Sequence, residues 1–253
     1  MKRRSSPAAA LAGCLMAAFL FVLAAGCGGS TKLASAADFV GSYTASYSRG
    51  AGSVLIHVLE GGEVQISVLD GSDSASPVFY SGSGSTDVTG YTSVSCTSPM
   101  ASGQIVITGA FVAMGSFAPF FEGDMTFSPS GIKVRGISIG QATQSTACPF
   151  VGSWQGSYKL ASPSRTQGVL SLTVSADGSL TGVLTDIEQG SVSVTGVVNG
   201  VGAFSFSGTS STSDKTSFSG GFGHGSSEAK MGVGKWSSTA WTSGGPLTLT
   251  PST

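Results

Sequence analysis

Charged side chains are scarce in this 253-residue chain: Lys, Arg, Asp and Glu together make up 10% of it, against about a quarter in a typical globular protein. Beyond the N-terminal Lys2, Arg3 and Arg4, no window holds more than two basic residues close together, as at Lys133 and Arg135. A surface that binds nucleic acid needs clustered Lys and Arg to neutralise phosphates. The composition therefore argues against nucleic acid as a partner, and short hydroxyl residues fill the polar positions instead.

Residues that carry catalysis or bind metals are also few. The chain has two histidines, His57 and His224, and neither has a Cys, Asp or Glu at metal-site spacing. Residues 136–140 match the Gly-x-Ser-x-Gly pattern, but that pattern works as a turn between a strand and a helix, and no helix is predicted here. Glu122 and Asp124 are spaced to share one strand face, where a weak calcium site competes with a solvated turn. We expect neither enzymatic activity nor a cofactor.

The N-terminus combines three basic residues with an apolar stretch over residues 8–25 and the sequence Leu-Ala-Ala-Gly-Cys, which ends at Cys27. This pattern resembles a bacterial lipoprotein export signal. The resemblance implies a diacylglycerol on the Cys27 thiol and cleavage after Gly26, which leaves nine basic and 13 acidic residues, a net charge of −4. One alternative is an uncleaved transmembrane anchor, for which the stretch is short. Another is processing at Cys14, which would expose an apolar N-terminus.

Four cysteines are present, of which Cys14 leaves with the signal and Cys27 carries the lipid. The remaining pair, Cys96 and Cys148, enters an oxidising compartment once the protein is exported. Disulfides form and persist in such compartments, and no further ligands stand at metal-site spacing. We therefore expect a disulfide between Cys96 and Cys148.

Apolar and polar residues alternate with a period of two along the exported chain, and no stretch shows a sustained helical stripe. Residues 170–174, for example, read Leu-Ser-Leu-Thr-Val, which is typical of half-buried antiparallel strands. Asp177-Gly178 and Asn199-Gly200 are typical of tight hairpin turns. The second half is predicted to contain eight strands that begin near Phe150, Gly168, Ser179, Gly190, Gly202, Thr216, Ala229 and Leu247.

An internal repeat divides this part of the chain. Residues 39–47 match residues 150–158 at six of nine positions, and both copies continue into similar hairpins. Further on, residues 103–109 parallel residues 190–196, which pairs them as the strand that follows the hairpin in each copy. Such self-similarity indicates related structural units. We predict an all-β chain of two tandem antiparallel meanders, each a barrel or sandwich-like.

The repeat also sets the domain boundaries. Residues 1–26 form the signal peptide, 27–37 the lipidated tether, 38–148 the first β domain and 149–253 the second. The second domain opens with Gly152-Ser153-Trp154. An eight-stranded meander with an initial Gly-x-Trp is similar to the calycin β-barrels of the lipocalin and streptavidin type. The resemblance implies a closed barrel. Large inward side chains, interleaved with glycines, would fill its interior.

One copy is longer than the other. The first copy carries residues 71–102, rich in Ser, Gly and Thr, where the second has only residues 187–189. Long loops on rigid β scaffolds often carry recognition, although a hairpin pinned for stability is an equal alternative. Residues 117–121 place three aromatic side chains around a proline, which breaks strand alternation and favours exposure. We expect recognition by Tyr80, Tyr91, Phe117, Phe120 and Phe121.

Together these features predict a lipid-anchored protein of the cell envelope, on the outer membrane or cell surface, that acts as a non-catalytic binding module. Its partners would be the membrane, through the anchor, and an extracytoplasmic protein or a small apolar ligand. The alternative is a structural envelope component without a small-molecule ligand. Filled interiors in both domains would favour the structural role, and a polar-rimmed apolar cavity of a few hundred Å³ would favour ligand binding.

Overall fold

The computed structural model describes residues 35–47, 52–73, 75–114, 116–145, 147–160, 166–187, 190–225, 229–239 and 241–252. These residues form sixteen β-strands, preceded by a short 3-10 helix, Ala36–Phe39. Among them, no helix has the length and apolar character that crossing a bilayer requires.

The first eight strands are β1 (Gly41–Tyr47), β2 (Gly52–Val58), β3 (Glu63–Asp70), β4 (Val78–Ser85), β5 (Tyr91–Thr97), β6 (Gln104–Val112), β7 (Phe120–Ser128) and β8 (Lys133–Thr143). The second eight are β9 (Gly152–Lys159), β10 (Thr166–Val174), β11 (Ser179–Asp186), β12 (Gly190–Val198), β13 (Ala203–Thr209), β14 (Lys215–His224), β15 (Lys230–Ser238) and β16 (Trp241–Pro251).

Each set of eight consecutive strands closes into an antiparallel barrel. Every strand pairs with the next, and the last pairs with the first, as at Ser42 opposite Thr143 and Tyr158 opposite Leu247. The prediction of an all-β chain of two repeated meanders is confirmed. In the second half, the eight strands begin within two residues of the predicted positions except the last, which begins at Trp241. Both barrels belong to one compact unit, Ala34–Thr253.

The interiors of both barrels are packed with side chains. Because strand residues alternate between faces, inward positions such as Val54, Ile56 and Val58 of β2 are fully buried. In the second barrel, aromatic rings take much of the volume, including a stacked pair, Phe206 and Phe218, with ring centroids 4.7 Å apart. Packing of this kind fills a barrel of eight strands.

The repeated Phe-Val-Gly-Ser motif closes one end of each barrel in the same way. The Tyr43 hydroxyl donates to the backbone oxygen of Phe39 at 2.7 Å. In the second barrel, Trp154 Nε1 donates to the backbone oxygen of Phe150 at 3.0 Å. The aromatic residue four positions after each Phe therefore supplies a ring for the core and a polar atom that satisfies the carbonyl. A phenylalanine of the sixth strand, Phe111 or Phe222, packs against each pair.

Backbone hydrogen bonds also fix the alignment of the two copies. The Phe111 N–H donates to the Gly90 oxygen, and the Phe222 N–H donates to the Gly202 oxygen, both at 2.9 Å. Gly90 and Gly202 have φ angles of 82° and 83°, a conformation that glycine adopts without strain. Strands β5 and β6 thus correspond to β13 and β14, so residues 103–109 belong with the sixth strand of the second barrel. The predicted pairing with residues 190–196 is wrong by two strands.

This alignment removes the predicted insertion. Residues 71–102 contain β4 and β5, which pair with β3 and β6 and complete the first barrel. Their counterparts in the second barrel are β12 and β13. The segment is therefore part of the scaffold, and the interpretation of residues 71–102 as an inserted loop is wrong.

The two barrels meet through side chains on their outer surfaces. Leu69 and Phe79 project outward from β3 and β4 and are almost completely buried, together with Val233 of β15. Glycines of β14 face them: a Cβ added to Gly221 would lie 2.1 Å from the Phe79 ring, and one added to Gly223 would lie 2.8 Å from Leu69. The absence of side chains at these two positions lets Phe79 and Leu69 approach the backbone of the second barrel.

Candidate ligand cavity between the barrels

The aromatic residues predicted to carry recognition are split between core and surface. Tyr80 and Phe121 are buried in the first barrel, so neither ring is available to a partner. Tyr91 is 50% exposed and Phe117 is 76% exposed, and Phe120 is half-buried. The sequence thus found an exposed aromatic surface but assigned two core residues to it.

The predicted disulfide between Cys96 and Cys148 is wrong, because both thiols are free and buried. Cys96 points inward from β5 into the core of the first barrel, whereas Cys148 packs in the core of the second. A bond between them would require one of them to leave its core. The predicted lipid carrier, Cys27, lies outside the described residues.

Part of the outer surface of the first barrel is covered by the second. Strand β2 is buried at nearly every position, because its outward side chains, Ser53, Leu55 and His57, face the second barrel. Leu55 packs against the core of that barrel. Ser53 Oγ accepts a hydrogen bond from the backbone nitrogen of His224 at 3.1 Å. The outward face of this strand therefore belongs to an internal seam.

A cavity of about 330 Å³ remains in this seam, within the size range of sites for small molecules. No Asp, Glu, Lys or Arg side chain of the described residues lines it. Its walls combine apolar groups with hydroxyls and two imidazoles, from Ser42, Thr44, Ser53, Leu55, His57, Ser67, Ala142, Thr143, Ser145, Ala147, Cys148, Pro149, Phe150, Gly223 and His224. We call this space the seam cavity.

The imidazole of His57 is the most unusual group in the seam cavity. Its side chain is 0% exposed, and neither Nδ1 nor Nε2 has a hydrogen-bond partner among the residues that the structure describes. Burial lowers the pKa of His57 to about 4, because desolvation disfavours the charged form. At neutral pH the ring is uncharged and offers one donor and one acceptor. Buried polar atoms in proteins nearly always have partners, so this ring is a group of the seam cavity with unused hydrogen-bonding capacity.

Cys148 adds a second uncharged group at the same wall. Burial raises the pKa of the Cys148 thiol, and a backbone hydrogen bond from Phe150 and the charge of Lys230 oppose this shift. Lys230 Nζ itself donates a hydrogen bond to the backbone oxygen of Pro149 at 2.9 Å, in the segment that connects the two barrels. The thiol is protonated at neutral pH, when it is a weak nucleophile. The seam cavity can therefore offer hydrogen bonds and apolar contacts, but little charge.

Another buried polar cluster lies inside the second barrel. The Tyr158 hydroxyl donates to Asp186, and Gln167 Nε2 donates to the same carboxylate at 3.3 Å. These three side chains come from β9, β10 and β11 and link the three strands. Gln167 Oε1 has no partner among the described residues. Because the cluster links three strands inside a filled barrel, we assign it a structural role.

The other residues considered from the sequence are not assembled into a reactive site. Ser138 lies exposed in β8 rather than in a turn before a helix. Asp124 Oδ1 accepts a hydrogen bond from the Gly136 backbone at 3.0 Å. Within the described part of the chain, no group of three or more His, Cys, Asp or Glu is placed to hold a metal ion.

The seam cavity could not be predicted from the sequence, because His57 has no Cys, Asp or Glu at metal-site spacing and so gave no indication of a site. One signal was present: the outward positions of β2 are Ser53, Leu55 and His57, without the exposed Thr and Lys that a solvated strand would carry. That signal indicates a covered face. It does not indicate which part of the chain covers it.

Comparisons with family models, curated proteins and solved structures find no match to this chain. We therefore infer the function from the geometry of the site itself.

Proposed function

We propose that the protein is a lipid-anchored binding protein that works outside the cytoplasm and holds a small, largely apolar molecule in the seam cavity. The observation that carries the proposal is the buried His57 ring beside a cavity of about 330 Å³. Within the described part of the chain, both of its nitrogens lack hydrogen-bond partners. Ligand sites typically combine apolar walls with a few polar groups that fix orientation. The seam cavity has this composition, whereas the barrel interiors are filled by the protein's own side chains.

The chemistry of His57 defines the class of ligand. A neutral imidazole offers one N–H and one lone pair, so a hydroxyl, which both donates and accepts, is a suitable partner. The uncharged walls disfavour ions, whose desolvation would not be compensated. The proposed ligand is thus a small apolar compound with a hydroxyl group, and phenol represents that class.

A matched pair of probes tests this site. Phenol and toluene have similar shapes, but toluene cannot hydrogen-bond to His57. We expect phenol to bind more tightly than toluene and to shift the His57 ring resonances in the NMR spectrum of isotope-labelled protein. His57→Phe should weaken phenol binding about five- to tenfold, the equivalent of one hydrogen bond, and should leave toluene binding nearly unchanged.

The control variant is Tyr91→Phe, which also removes one polar atom from an aromatic ring but lies on the exposed surface. It should leave the affinity for both probes unaltered. If phenol and toluene bind equally well, or if neither perturbs His57, the seam cavity does not select a hydroxyl ligand and this function is wrong. The structural role, which the filled barrel interiors favour, would then take its place.

The proposed location depends on the signal before Cys27. Metabolic labelling with a radioactive fatty acid should mark the wild-type protein and should not mark Cys27→Ala, because the thiol that receives the diacylglycerol is gone. Cys148→Ala serves as the control, since it removes a buried thiol and should retain the label. A label that survives in Cys27→Ala would show that the lipid is carried elsewhere.

A further inference from the structure

One end of the first barrel collects four features of the chain. In a meander, alternate connections share an end, so the β2–β3, β4–β5 and β6–β7 connections lie together. The 3-10 helix Ala36–Phe39 lies at the same end: a Cβ added to Gly62 would be 2.9 Å from the Ala36 Cβ, and one added to Gly90 would be 3.3 Å from the Phe39 ring. We call this the helix end. The described chain begins there, at Ser35.

The helix end exposes large apolar side chains. Val88 in the β4–β5 turn is 75% exposed, and Met114 and Phe117 in the β6–β7 loop are 56% and 76% exposed. Tyr91, at the start of β5, is 50% exposed. Exposed apolar groups gathered on one surface mark interaction sites more often than isolated ones do.

The second barrel shows how the corresponding surface is used. Tyr91 and Ala203 occupy matching positions in the two barrels. Each follows a turn glycine, Gly90 or Gly202, whose backbone oxygen accepts a hydrogen bond from the sixth strand. Ala203 packs at the interface with the first barrel, beside Leu69, Phe79 and Val233. In the first barrel, no described part of the chain covers Met114 or Phe117. The second copy of this position, Ala203, is therefore covered by the first barrel, whereas the first copy, Tyr91, is half exposed.

The length of the N-terminal segment limits what can cover the helix end. Ser35 is eight residues from Cys27, and eight residues span at most about 29 Å when fully extended. If Cys27 carries a diacylglycerol, as in the proposed function on which this inference rests, the helix end stays within that distance of the lipid surface. We propose that the helix end rests on the bilayer, with Val88, Met114 and Phe117 inserted among the lipids.

Charge at the helix end indicates the kind of lipid. Asp38, Glu60 and Asp87 are exposed there, and no Lys or Arg lies in the described part of the helix end. Attraction to anionic headgroups cannot contribute, so burial of apolar side chains drives the contact. The contact should therefore form on zwitterionic lipids and be nearly independent of salt.

Two labelled variants of the full-length lipidated protein test this orientation. Ser116→Cys places a fluorophore beside Phe117, and Thr173→Cys places it on the exposed outer face of the second barrel. Unmodified protein, whose Cys96 and Cys148 are buried, measures background labelling. In phosphatidylcholine vesicles with a nitroxide quencher on the acyl chains, we expect strong quenching at position 116 and little at position 173.

A further pair of variants separates insertion from simple proximity. The triple change Val88→Ser, Met114→Ser, Phe117→Ser should abolish most of the quenching at position 116. Val183→Ser, which alters an exposed valine of the second barrel, should not. Equal quenching at both labelled positions, or none at either, would overturn the proposal while fatty-acid labelling of Cys27 remained intact. Quenching at position 116 that falls as the density of protein per vesicle rises would instead show that a second copy covers this surface.

Absence of fatty-acid labelling at Cys27 would overturn the lipid anchor itself, and with it the distance limit on the helix end. The labelling and quenching measurements therefore distinguish failure of the anchor from failure of the docking surface.

Discussion

Replacing Phe79 with alanine is expected to lower the free energy of unfolding by about 3–5 kcal/mol, although Phe79 lies on the outside of the first barrel. The ring is 0% exposed and packs with Leu69 and Val233 between the barrels. Its removal leaves a cavity that two rigid barrel walls cannot close. Urea denaturation followed by tryptophan fluorescence measures the loss, because all three tryptophans lie in the second half of the chain.

A double-mutant cycle assigns this loss to the contact between the barrels. Gly221→Ala alone should lower the free energy of unfolding by about 1–3 kcal/mol, because its Cβ would lie 2.1 Å from the Phe79 ring. In the Phe79→Ala background that clash is gone, so Gly221→Ala should then cost almost nothing. Such non-additivity is expected only for residues in contact.

Gly140→Ala is the matched control for this cycle. Gly140 is an exposed strand residue, and a Cβ added to it would meet nothing within 4 Å. This change should leave stability almost unaltered in both backgrounds. Additive losses for Phe79→Ala and Gly221→Ala would contradict the interface described above.

Lowering the pH from 6.5 to about 4 is expected to remove about 3 kcal/mol of stability through His57 alone. Burial lowers the pKa of His57 in the folded protein to about 4 from its ordinary value of 6.5. The unfolded chain therefore binds a proton first as the pH falls, and protonation favours unfolding. The contribution is fully present above pH 6.5 and is lost progressively down to pH 4.

His57→Phe isolates this effect, because carboxylates elsewhere titrate equally in both proteins. The groups that face His57 across the seam are His224 and the protonated thiol of Cys148. We expect the difference in unfolding free energy between wild type and His57→Phe to change by about 3 kcal/mol between pH 7 and pH 4. The variant should also be at least as stable at pH 7, since it removes buried polar atoms that lack partners. Parallel pH profiles for the two proteins would show that His57 is not buried as described.

Strands with alternating side chains could be predicted well from the sequence, and β4 could not. Residues 170–174 alternate apolar and hydroxyl side chains. This pattern fits a strand whose apolar side chains face the core and whose hydroxyls face outward. By contrast, residues 81–85 read Ser-Gly-Ser-Gly-Ser, which has no apolar face. Their conformation depends on pairing with β3 along its whole length. A strand stabilised mainly by its neighbours looks like a loop when it is considered alone.

Local sequence also did not reveal which cysteines could meet. Their compartment favours a disulfide, but Cys96 and Cys148 point into the cores of different barrels. The direction in which each side chain points depends on strand register, and a shift of one residue would reverse it.

The sequence by itself determined the all-β class, the repeat, and the Phe39 and Phe150 motifs. The features responsible are the alternation of side chains, the turn glycines, and the aromatic residue four positions after each Phe. All of them act within a few residues of the chain. Only the tertiary structure decided that the outward face of β2 is internal and that His57 borders a cavity. The reason is physical. Strand periodicity separates the two faces of a strand, but it does not say whether the outward face meets water or another barrel. That depends on how residues far apart in the chain pack together, as Phe79 packs on Gly221.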